Sequence, residues 1–281
     1  MYGLIGDPID HSVSPTIQNA AFRSARLDAV YLAFPVGKSR LKSAILGLKA
    51  LGIRGFNVTT PHKTAMLRYL EKVDTKAAEI GSINTVKNDS GSLIGFNTDG
   101  SGAITAMQRA GLSLNGQAML LLGAGGAARA IAYSMGGSGC SVTLMSRTAS
   151  HAKLLAKSLR IRFGTKAESV PLSRKSLREC VSQADIILNA SSMGMDAKNN
   201  PPIDRSWIRS DHWVFDIVYR PVQTKLLQIA KARGARTING LEMLLNQGAS
   251  SFTIWTGRNA PTVAMRRAMI EKLRVQNAGN S

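Results

Sequence analysis

Two charged residues in predicted turns are of the types needed for proton transfer. Lys63 ends the stretch NVTTPHK, and Asp99 lies in FNTDG. An ammonium can donate a proton to the oxygen of a carbonyl as it is reduced, and a nearby carboxylate can orient that ammonium. Taken singly, each has a structural explanation, because Lys63 is one of 36 basic residues and Asp99 could cap the helix that follows it.

Short polar side chains in neighbouring turns are candidates for binding a substrate. Ser12 and Ser14 lie in DHSVSP, and Asn84 lies in SINTV. Ser14 precedes Pro15, a pattern typical of a helix N-cap followed by the first helical residue, so the Ser14 hydroxyl has a competing structural use. We expect His62, the neighbour of Lys63, to be an exposed residue without a role.

A glycine-rich turn indicates a cofactor. The stretch LLLGAGGAARAIA places Gly123, Gly125 and Gly126 between an apolar strand and a helix, with Ala128 at the third small position. Glycines permit a tight turn and a close backbone approach to a pyrophosphate, whose charge the helix N-terminus stabilises. A further strand follows at 142–146, which completes a βαβ unit. We therefore predict dinucleotide binding over a purely structural glycine turn.

The residues after that further strand favour NADP over NAD. An NAD site usually has an acidic residue here, which binds the ribose hydroxyls. This chain has MSRTASHAK, with Arg147 in the place of the acid. A guanidinium can bind the 2′-phosphate of NADP through two hydrogen bonds, whereas a carboxylate would repel it.

Alternating strand and helix patterns must position these residues. The first sixty residues or so read as strand, helix, strand, helix, strand, which is typical of a parallel sheet. TPHKTAMLRYL is predicted to be a helix, and two strand-like runs around NDSG are predicted to form a hairpin. A second pattern begins near residue 100, with buried strands AMLLLG, SVTLMS, ADIILNA and WVFDIVY. No strand is predicted at the connection around Gly240, and helices close the chain.

These patterns predict two α/β domains. Residues 1–99 would form the first, with a mainly parallel sheet, and helices within 240–281 would complete it. Residues 100–239 would form a dinucleotide-binding domain of the Rossmann type. A domain junction is where a cleft would lie, which favours Asp99 as a site residue.

Composition limits the classes of protein. Lys and Arg number 36 against 17 Asp and Glu, and the formal net charge of +19 favours anionic partners: phosphorylated cofactors, carboxylate substrates or nucleic acid. Nucleic acid is the weakest of these, because the charges are scattered and the chain lacks the signature of a known binding module. The two cysteines have no metal-ligand spacing. We therefore expect no metal. We also expect no membrane segment and a cytoplasmic location.

Taken together, the motifs resemble those of one family, the shikimate dehydrogenases and their quinate-using relatives. The resemblance covers nearly the whole chain in the family's order. Its motifs are SVSP (12–15), NVTTPHK (57–63), INTV (83–86), NTDG (97–100), GAGGAA (123–128), NASSMGM (189–195), DIVYRPVQTKLL (216–227) and GLEMLLNQG (240–248). It implies a two-domain enzyme of aromatic amino-acid biosynthesis that reduces 3-dehydroshikimate to shikimate with NADPH, in a cleft between the domains.

The resemblance also implies roles for individual residues. Lys63 and Asp99 would be the catalytic pair, and the Ser12 and Ser14 hydroxyls would bind the substrate carboxylate. The other substrate-binding residues would be Thr59, Asn84, Tyr219 and Gln247. The cofactor-binding residues would be Gly123, Ala124, Gly125, Gly126, Ala127, Ser146, Arg147, Thr148 and Met243. The family includes monomers and homodimers, so the oligomeric state stays open.

Two departures from the family's NADP motif leave the selectivity open. Ser146 stands where the family commonly has asparagine, and His151 takes the position of a second basic residue, which Lys153 could replace. The near alternative is therefore a quinate/shikimate dehydrogenase that uses NAD or NADP. A third possibility is an enzyme that acts on aminoshikimate.

Overall fold

The computed structural model describes residues 1–10, 12–195 and 200–278, with side chains up to residue 275. Its contacts divide the chain into two compact units. Unit 1 comprises Met1–Thr98 and Leu245–Ser281, and unit 2 comprises Asp99–Leu244. Each unit contains a six-stranded sheet and helices, which confirms the predicted two-domain α/β fold.

Unit 1 is built on a mixed sheet with strand order β2-β1-β3-β5-β6-β4. The elements before residue 99 are β1 (Tyr2–Gly6), α1 (Ser14–Ser24), β2 (Tyr31–Pro35), α2 (Leu41–Ala50), β3 (Gly55–Val58), β4 (Lys72–Val73), α3 (Thr75–Ile80), β5 (Thr85–Asp89) and β6 (Ser92–Phe96). Strand β1 is parallel to β2 and β3, whereas β5 is antiparallel to β3 and β6. Strands β1 and β3 are buried along their whole length, which explains their apolar sequences.

The hairpin predicted around NDSG joins β5 to β6. Ser90 and Gly91 form its two-residue loop, with φ of 52° and 94°, as a type I′ turn requires. Unit 1 also contains most of α9 (Gly240–Thr256) and all of α10 (Thr262–Ala278). Helix α10 packs against α1. The indole N–H of Trp255 in α9 donates to the carbonyl of Val86 in β5 at 2.9 Å.

Strand β2 lies at one edge of this sheet and carries a side-chain cap. The Asn19 amide in α1 accepts a hydrogen bond from the N–H of Tyr31 (2.8 Å) and donates one to its carbonyl (2.9 Å). Both backbone groups of Tyr31 are therefore paired although β2 is the edge strand of the sheet. At the other end of β2, Pro35 has no N–H to donate.

Unit 2 contains a parallel sheet with strand order β12-β11-β10-β7-β8-β9. The order reverses between β7 and β10, as in a doubly wound Rossmann sheet, in which the ligand binds beside the carboxyl ends of the strands at this point. Its elements are α4 (Asp99–Arg109), β7 (Ala118–Leu122), α5 (Gly126–Ser134), β8 (Ser141–Met145), α6 (Ala149–Phe163), β9 (Ala167–Ser169), α7 (Arg174–Gln183), β10 (Ile186–Asn189), β11 (Trp213–Asp216), α8 (Lys225–Ala232) and β12 (Arg236–Asn239).

Strands β9 and β12 were not expected from the sequence. Strand β12 ends directly before Gly240, where the sequence predicts no strand. Both strands lie at the edges of the sheet and are partly exposed, so they lack the apolar run that identifies the central strands.

The segment TPHKTAMLRYL does not form the predicted α-helix. It makes a turn and then a 3₁₀ helix at Ala65–Tyr69. In an α-helix the Lys63 carbonyl would accept from the N–H of Leu67. Here it accepts from the N–H of Ile83 at 2.9 Å, and Leu67 donates to Thr64 instead. A hydrogen bond to a distant segment thus replaces the helical one.

The structure also bears on metals, cysteines and membranes. Cys140 and Cys180 are free thiols, and burial raises the pKa of Cys140 to about 11. Among the described residues, no group of three or more His, Cys, Asp or Glu could hold a metal ion. In the same part of the chain, no helix combines the length and the hydropathy needed to cross a membrane.

Candidate active site

Ser12 lies between β1 and α1, Ser14 is the first residue of α1, and both are half-buried. The N–H of Ser14 donates to the Ser12 hydroxyl oxygen at 3.2 Å. The expected N-cap at Ser14 is wrong, because the cap position is Val13, whose side chain cannot accept a hydrogen bond, and Ser14 is the first helical residue. The Ser14 hydroxyl is therefore not used as a cap.

Thr59 and Lys63 flank the turn after β3, and both are half-buried. Gly6 in β1 faces this turn, and a Cβ on Gly6 would overlap with the methyl group of Thr59, so the close approach requires glycine. The Lys63 carbonyl accepts from Ile83, the residue directly before Asn84. Close backbone contacts therefore hold Thr59, Lys63 and Asn84 in neighbouring segments of unit 1.

His62 is buried, which corrects the expectation that it is exposed. Its side chain is 1% exposed, and its ring Nε2 lies 2.6 Å from the Val36 carbonyl oxygen. Since a carbonyl only accepts, Nε2 is the donor and carries the proton. This hydrogen bond to Val36 fixes the turn that precedes Lys63.

Asn84 is the centre of a buried polar cluster and is 3% exposed. Its amide nitrogen donates to the Thr98 hydroxyl (2.9 Å) and to the Gln247 side-chain oxygen (3.2 Å). Its amide oxygen accepts from the N–H of Thr98 at 2.8 Å. The structure therefore brings together Asn84 and Gln247, two predicted substrate-binding residues that are 163 positions apart.

A second polar layer joins this cluster to the sheet. Asn57 in β3 donates to the carbonyl of Asn84 (3.0 Å) and to the Thr85 hydroxyl (3.1 Å). The same amide nitrogen lies 3.0 Å from the Ser251 hydroxyl in α9, so its two hydrogens are shared among three acceptors, and the Asn57 amide oxygen accepts from the Tyr31 hydroxyl (2.8 Å). All these side chains are buried, and buried polar groups are costly to leave unpaired. The network therefore fixes this part of α9 on β3 and β5.

The other predicted catalytic residue, Asp99, belongs to unit 2. It is the first residue of α4 and is 4% exposed. The next residue, Gly100, lies directly against α5, because a Cβ there would overlap with the Ser134 hydroxyl and the Ala130 carbonyl. Close packing of the two helices thus fixes the backbone at Asp99. Lys63 belongs to unit 1, so the catalytic pair stays a prediction.

The glycine turn after β7 has the backbone features that pyrophosphate binding requires. Gly123 has φ of 116°, and a Cβ there would lie 2.8 Å from the carbonyl oxygen of Ala190, so this position needs glycine. Helix α5 begins at Gly126, and the cap residue Gly125 has no side chain to cover its first N–H groups. Free N–H groups and the helix dipole are what an anion uses.

The end of β8 carries hydroxyl and basic side chains. The Ser146 hydroxyl accepts from the N–H of Thr148 at 3.3 Å, and Thr148 occupies the cap position of α6. Arg147 and His151 are exposed. Within the described residues, no salt bridge involves Arg147, and no acidic residue lies in the first turn of α6.

Tyr219 and Met243 follow β11 and β12, respectively. Tyr219 is half-buried, and Met243 is 6% exposed and packs in the core of unit 2. Since the sheet is parallel, both lie at the edge formed by the carboxyl ends of the strands, as Gly123 does.

Three family models cover most of the chain. They describe a shikimate dehydrogenase substrate binding domain (residues 4–86), a shikimate/quinate 5-dehydrogenase (105–241) and a shikimate 5′-dehydrogenase C-terminal domain (240–270). The NADP+ shikimate dehydrogenase of Moorella thermoacetica is 45% identical, over 99% of this chain and 95% of that protein. The chain belongs to the shikimate dehydrogenase family. The resemblance seen in the sequence motifs is thereby confirmed.

Solved structures of the shikimate dehydrogenase family share this fold. The Thermus thermophilus enzyme in complex with NADP(H) and shikimate is 34% identical, with a TM-score of 0.86 over 96% of this chain and 98% of that one. Quinate dehydrogenase from Corynebacterium glutamicum in complex with NAD is 31% identical, with a TM-score of 0.87 over 96% and 98%.

The sequence did not point to several of the polar residues that hold these elements. Asn57 is the penultimate residue of an otherwise apolar strand, and Asn189 and Asp216 end two others. Asn189 and Asp216 are register partners in neighbouring parallel strands. A polar residue at the carboxyl end of a buried strand is the signal that could have identified them.

Proposed function

We propose that the chain is an NADP-dependent shikimate dehydrogenase, which reversibly reduces 3-dehydroshikimate to shikimate. The observation that carries the proposal is the hydrogen bond between Asn84 and Gln247, because it joins two predicted substrate-binding residues from distant parts of the chain. The names of the Moorella relative and of the Thermus complex support the same reaction.

The proposed first domain, residues 1–99 with 240–281, would bind the substrate, and residues 100–239 would bind the dinucleotide. The active site would lie in the cleft between the two domains. The family model matching residues 4–86 describes a substrate binding domain, which supports this division. We also propose a cytoplasmic monomer or homodimer. Light scattering on the purified protein decides between the two assemblies.

The chain's own residues fit NADP. Gly125 has open space where a Cβ would lie, which leaves room for a pyrophosphate, and the first N–H groups of α5 are free of a side-chain cap. When bound, NADPH supplies a hydride to the substrate carbonyl carbon. The pyrophosphate-binding residues would be Gly123, Ala124, Gly125, Gly126 and Ala127, with Ser146, Arg147 and Thr148 at the 2′-phosphate and Met243 beside the nicotinamide.

In the proposed mechanism, Lys63 donates a proton to the substrate oxygen as the alcohol forms, and Asp99 orients its ammonium. The hydroxyls of Ser12 and Ser14 bind the substrate carboxylate, with Tyr219 beside it. The ring hydroxyls are bound by Thr59, Asn84 and Gln247. Holding the substrate at several points lets the proton and the hydride be delivered from fixed positions.

Substitution of the catalytic pair tests this mechanism. Lys63→Met and Asp99→Asn are each expected to lower kcat by about 10²–10⁴-fold, the usual contribution of a proton-transfer group. Calorimetric titration should show that both variants still bind shikimate. Lys42→Met and Asp211→Asn, at exposed positions of the two units, are the matched controls. Near-parental turnover in either site variant would contradict the mechanism.

A quinate/shikimate dehydrogenase using NAD is the second candidate. Ser146 and His151 depart from the NADP motif, and a relative with the same fold is named quinate dehydrogenase in complex with NAD. The values of kcat/KM for shikimate and quinate, each with NADP+ and NAD+, separate the candidates. A higher value for quinate with NAD+ than for shikimate with NADP+ would replace our first proposal with the second.

A further inference from the structure

A buried carboxylate lies at the carboxyl edge of the unit 2 sheet. Asp216, the last residue of β11, is fully buried and accepts three hydrogen bonds. The donors are the Asn189 amide (2.9 Å), the N–H of Val218 (3.1 Å) and the Thr224 hydroxyl (2.7 Å). All three donors are neutral: Asn189 ends β10, and Val218 and Thr224 lie at the two ends of the loop after β11.

Asn189 extends this network into the segment after β10. Its amide nitrogen also donates to the Met193 carbonyl (2.7 Å), and its amide oxygen accepts from the N–H (3.2 Å) and the hydroxyl (2.6 Å) of Ser191. Gly194 follows with φ of 94°, and a Cβ there would lie 3.6 Å from the Asp216 carboxylate. The segment from 190 to 194 is thus folded around these two side chains.

Thr224 closes the loop after β11. Its hydroxyl donates to Asp216 and accepts from the N–H of Leu227 at 3.3 Å, so it both ties the ends of the loop together and caps α8. The loop between Asp216 and Thr224 contains Tyr219. Breaking the bond between its ends would release the loop and weaken the start of α8 together.

At two glycines, these segments pack directly against the backbone of neighbouring segments. Gly123 in the glycine turn lies against the Ala190 carbonyl, where a Cβ would be 2.8 Å away. Gly240, at the start of α9, lies so close to Ile217 that a Cβ would overlap with its carbonyl oxygen. Backbone packed this closely does not shift on one side without shifting on the other.

We propose that Asp216 is a positioning residue, which with Asn189 sets where the segments 190–195 and 217–224 lie relative to the glycine turn and the start of α9. A buried charge with neutral partners is costly, and an apolar residue of similar volume would serve packing alone at lower cost. The end of β10 and the two ends of the loop after β11, however, need a common acceptor. The catalytic meaning of the inference rests on the function proposed above.

Hydrogen bonding and charge are separated by two substitutions. Asp216→Asn keeps an acceptor for Asn189 and Val218, whereas Asp216→Ala removes it. We expect kcat/KM for shikimate to fall by about 10–100-fold in the alanine variant, because displaced groups lose their alignment, and to stay near the parental value in the asparagine variant. Kinetics are measured well below the thermal midpoint of each variant. Parental kcat/KM in folded Asp216→Ala would overturn the proposal, and so would equal losses in both variants.

Hydrogen exchange gives a readout that does not depend on activity. Amide exchange in 190–195 and 217–224 should rise in Asp216→Ala and Thr224→Val but not in Asp216→Asn or Thr224→Ser, while peptides from β8 stay unchanged. If Asp216→Ala does not fold, the comparison of Thr224→Val with Thr224→Ser tests the proposal instead. Unchanged exchange in these segments would overturn the proposal. If the parent chain fails to oxidise shikimate, the proposed function fails, and the exchange result still decides the role of Asp216.

Discussion

The buried carboxylate of Asp216 makes the stability of the protein depend on pH in an unusual direction. Burial raises the pKa of this group from 3.8 to about 6, and its three hydrogen bonds oppose the shift only in part. A raised pKa means that the folded chain holds the proton more tightly than the unfolded chain does. Protonation of Asp216 therefore stabilises the fold, fully below about pH 4, and this stabilisation is lost as the pH rises through about 6.

The magnitude follows from the difference of about two pKa units. At 1.36 kcal/mol per unit, the ionised group lowers the free energy of unfolding by about 3 kcal/mol relative to a neutral one. Asp216→Asn is neutral at every pH. Between about pH 4.5 and pH 8, the difference in unfolding free energy between this variant and the parent should therefore grow by about 2 kcal/mol in favour of the variant.

Urea unfolding of both proteins across this pH range provides the measurement. The comparison cancels the titration of all other groups, which the two proteins share. Asp211→Asn is the control, because a hydrogen bond from Arg209 lowers the pKa of the exposed Asp211. Any stability from that group is lost only at more acidic pH, so the difference between this variant and the parent should stay nearly constant over the range measured. Parallel stability curves for Asp216→Asn and the parent would show that Asp216 is not desolvated and would refute the reasoning.

Three further substitutions test other parts of the structure. Gly123→Ala places a Cβ against Ala190 at positive φ, so urea unfolding should show a loss of about 1–3 kcal/mol and titration should show weaker NADP+ binding. Arg147→Ala should raise the KM for NADPH about tenfold or more, the cost of a lost charge-assisted bond, and leave the KM for NADH unchanged; an unchanged value for NADPH would remove the argument for NADP. Asn57→Ala removes the acceptor of the buried Tyr31 hydroxyl and the amide that links β3 to α9, and should cost about 2–4 kcal/mol in the same unfolding assay, so a near-neutral result would mean that the network adds little to stability.

The central strands could be predicted because their burial on both faces requires an apolar run. Strand β7, with the sequence AMLLL, is an example, and the glycine turn that follows it is predictable since its geometry excludes other residues at Gly123. Strand β12 has two exposed residues and no such run, so its pairing with β11 depends on the tertiary structure.

The environment of Lys63 could not be predicted from local sequence. Its segment has helical periodicity, yet the Lys63 carbonyl pairs with Ile83, twenty residues away. His62 was misjudged for a related reason, because the partner that makes its burial possible, Val36, lies in a different segment. The cluster of Asn84 and Gln247 likewise depends on α9 returning to the sheet. Residue types indicated the candidate site, but long-range hydrogen bonds determine its shape.

The amide of Asn19 has a consequence for how this protein behaves among copies of itself. An exposed edge strand invites pairing with a strand of another molecule, which is a route to aggregation. In β2, Asn19 already occupies both backbone groups of Tyr31, and Pro35 offers no donor at the far end. Within β2, Ala33 alone then lies between the paired Tyr31 and Pro35 on the outward side, which is a short template for an incoming strand. Asn19 and Pro35 together thus leave this sheet edge with little to offer a strand of another copy.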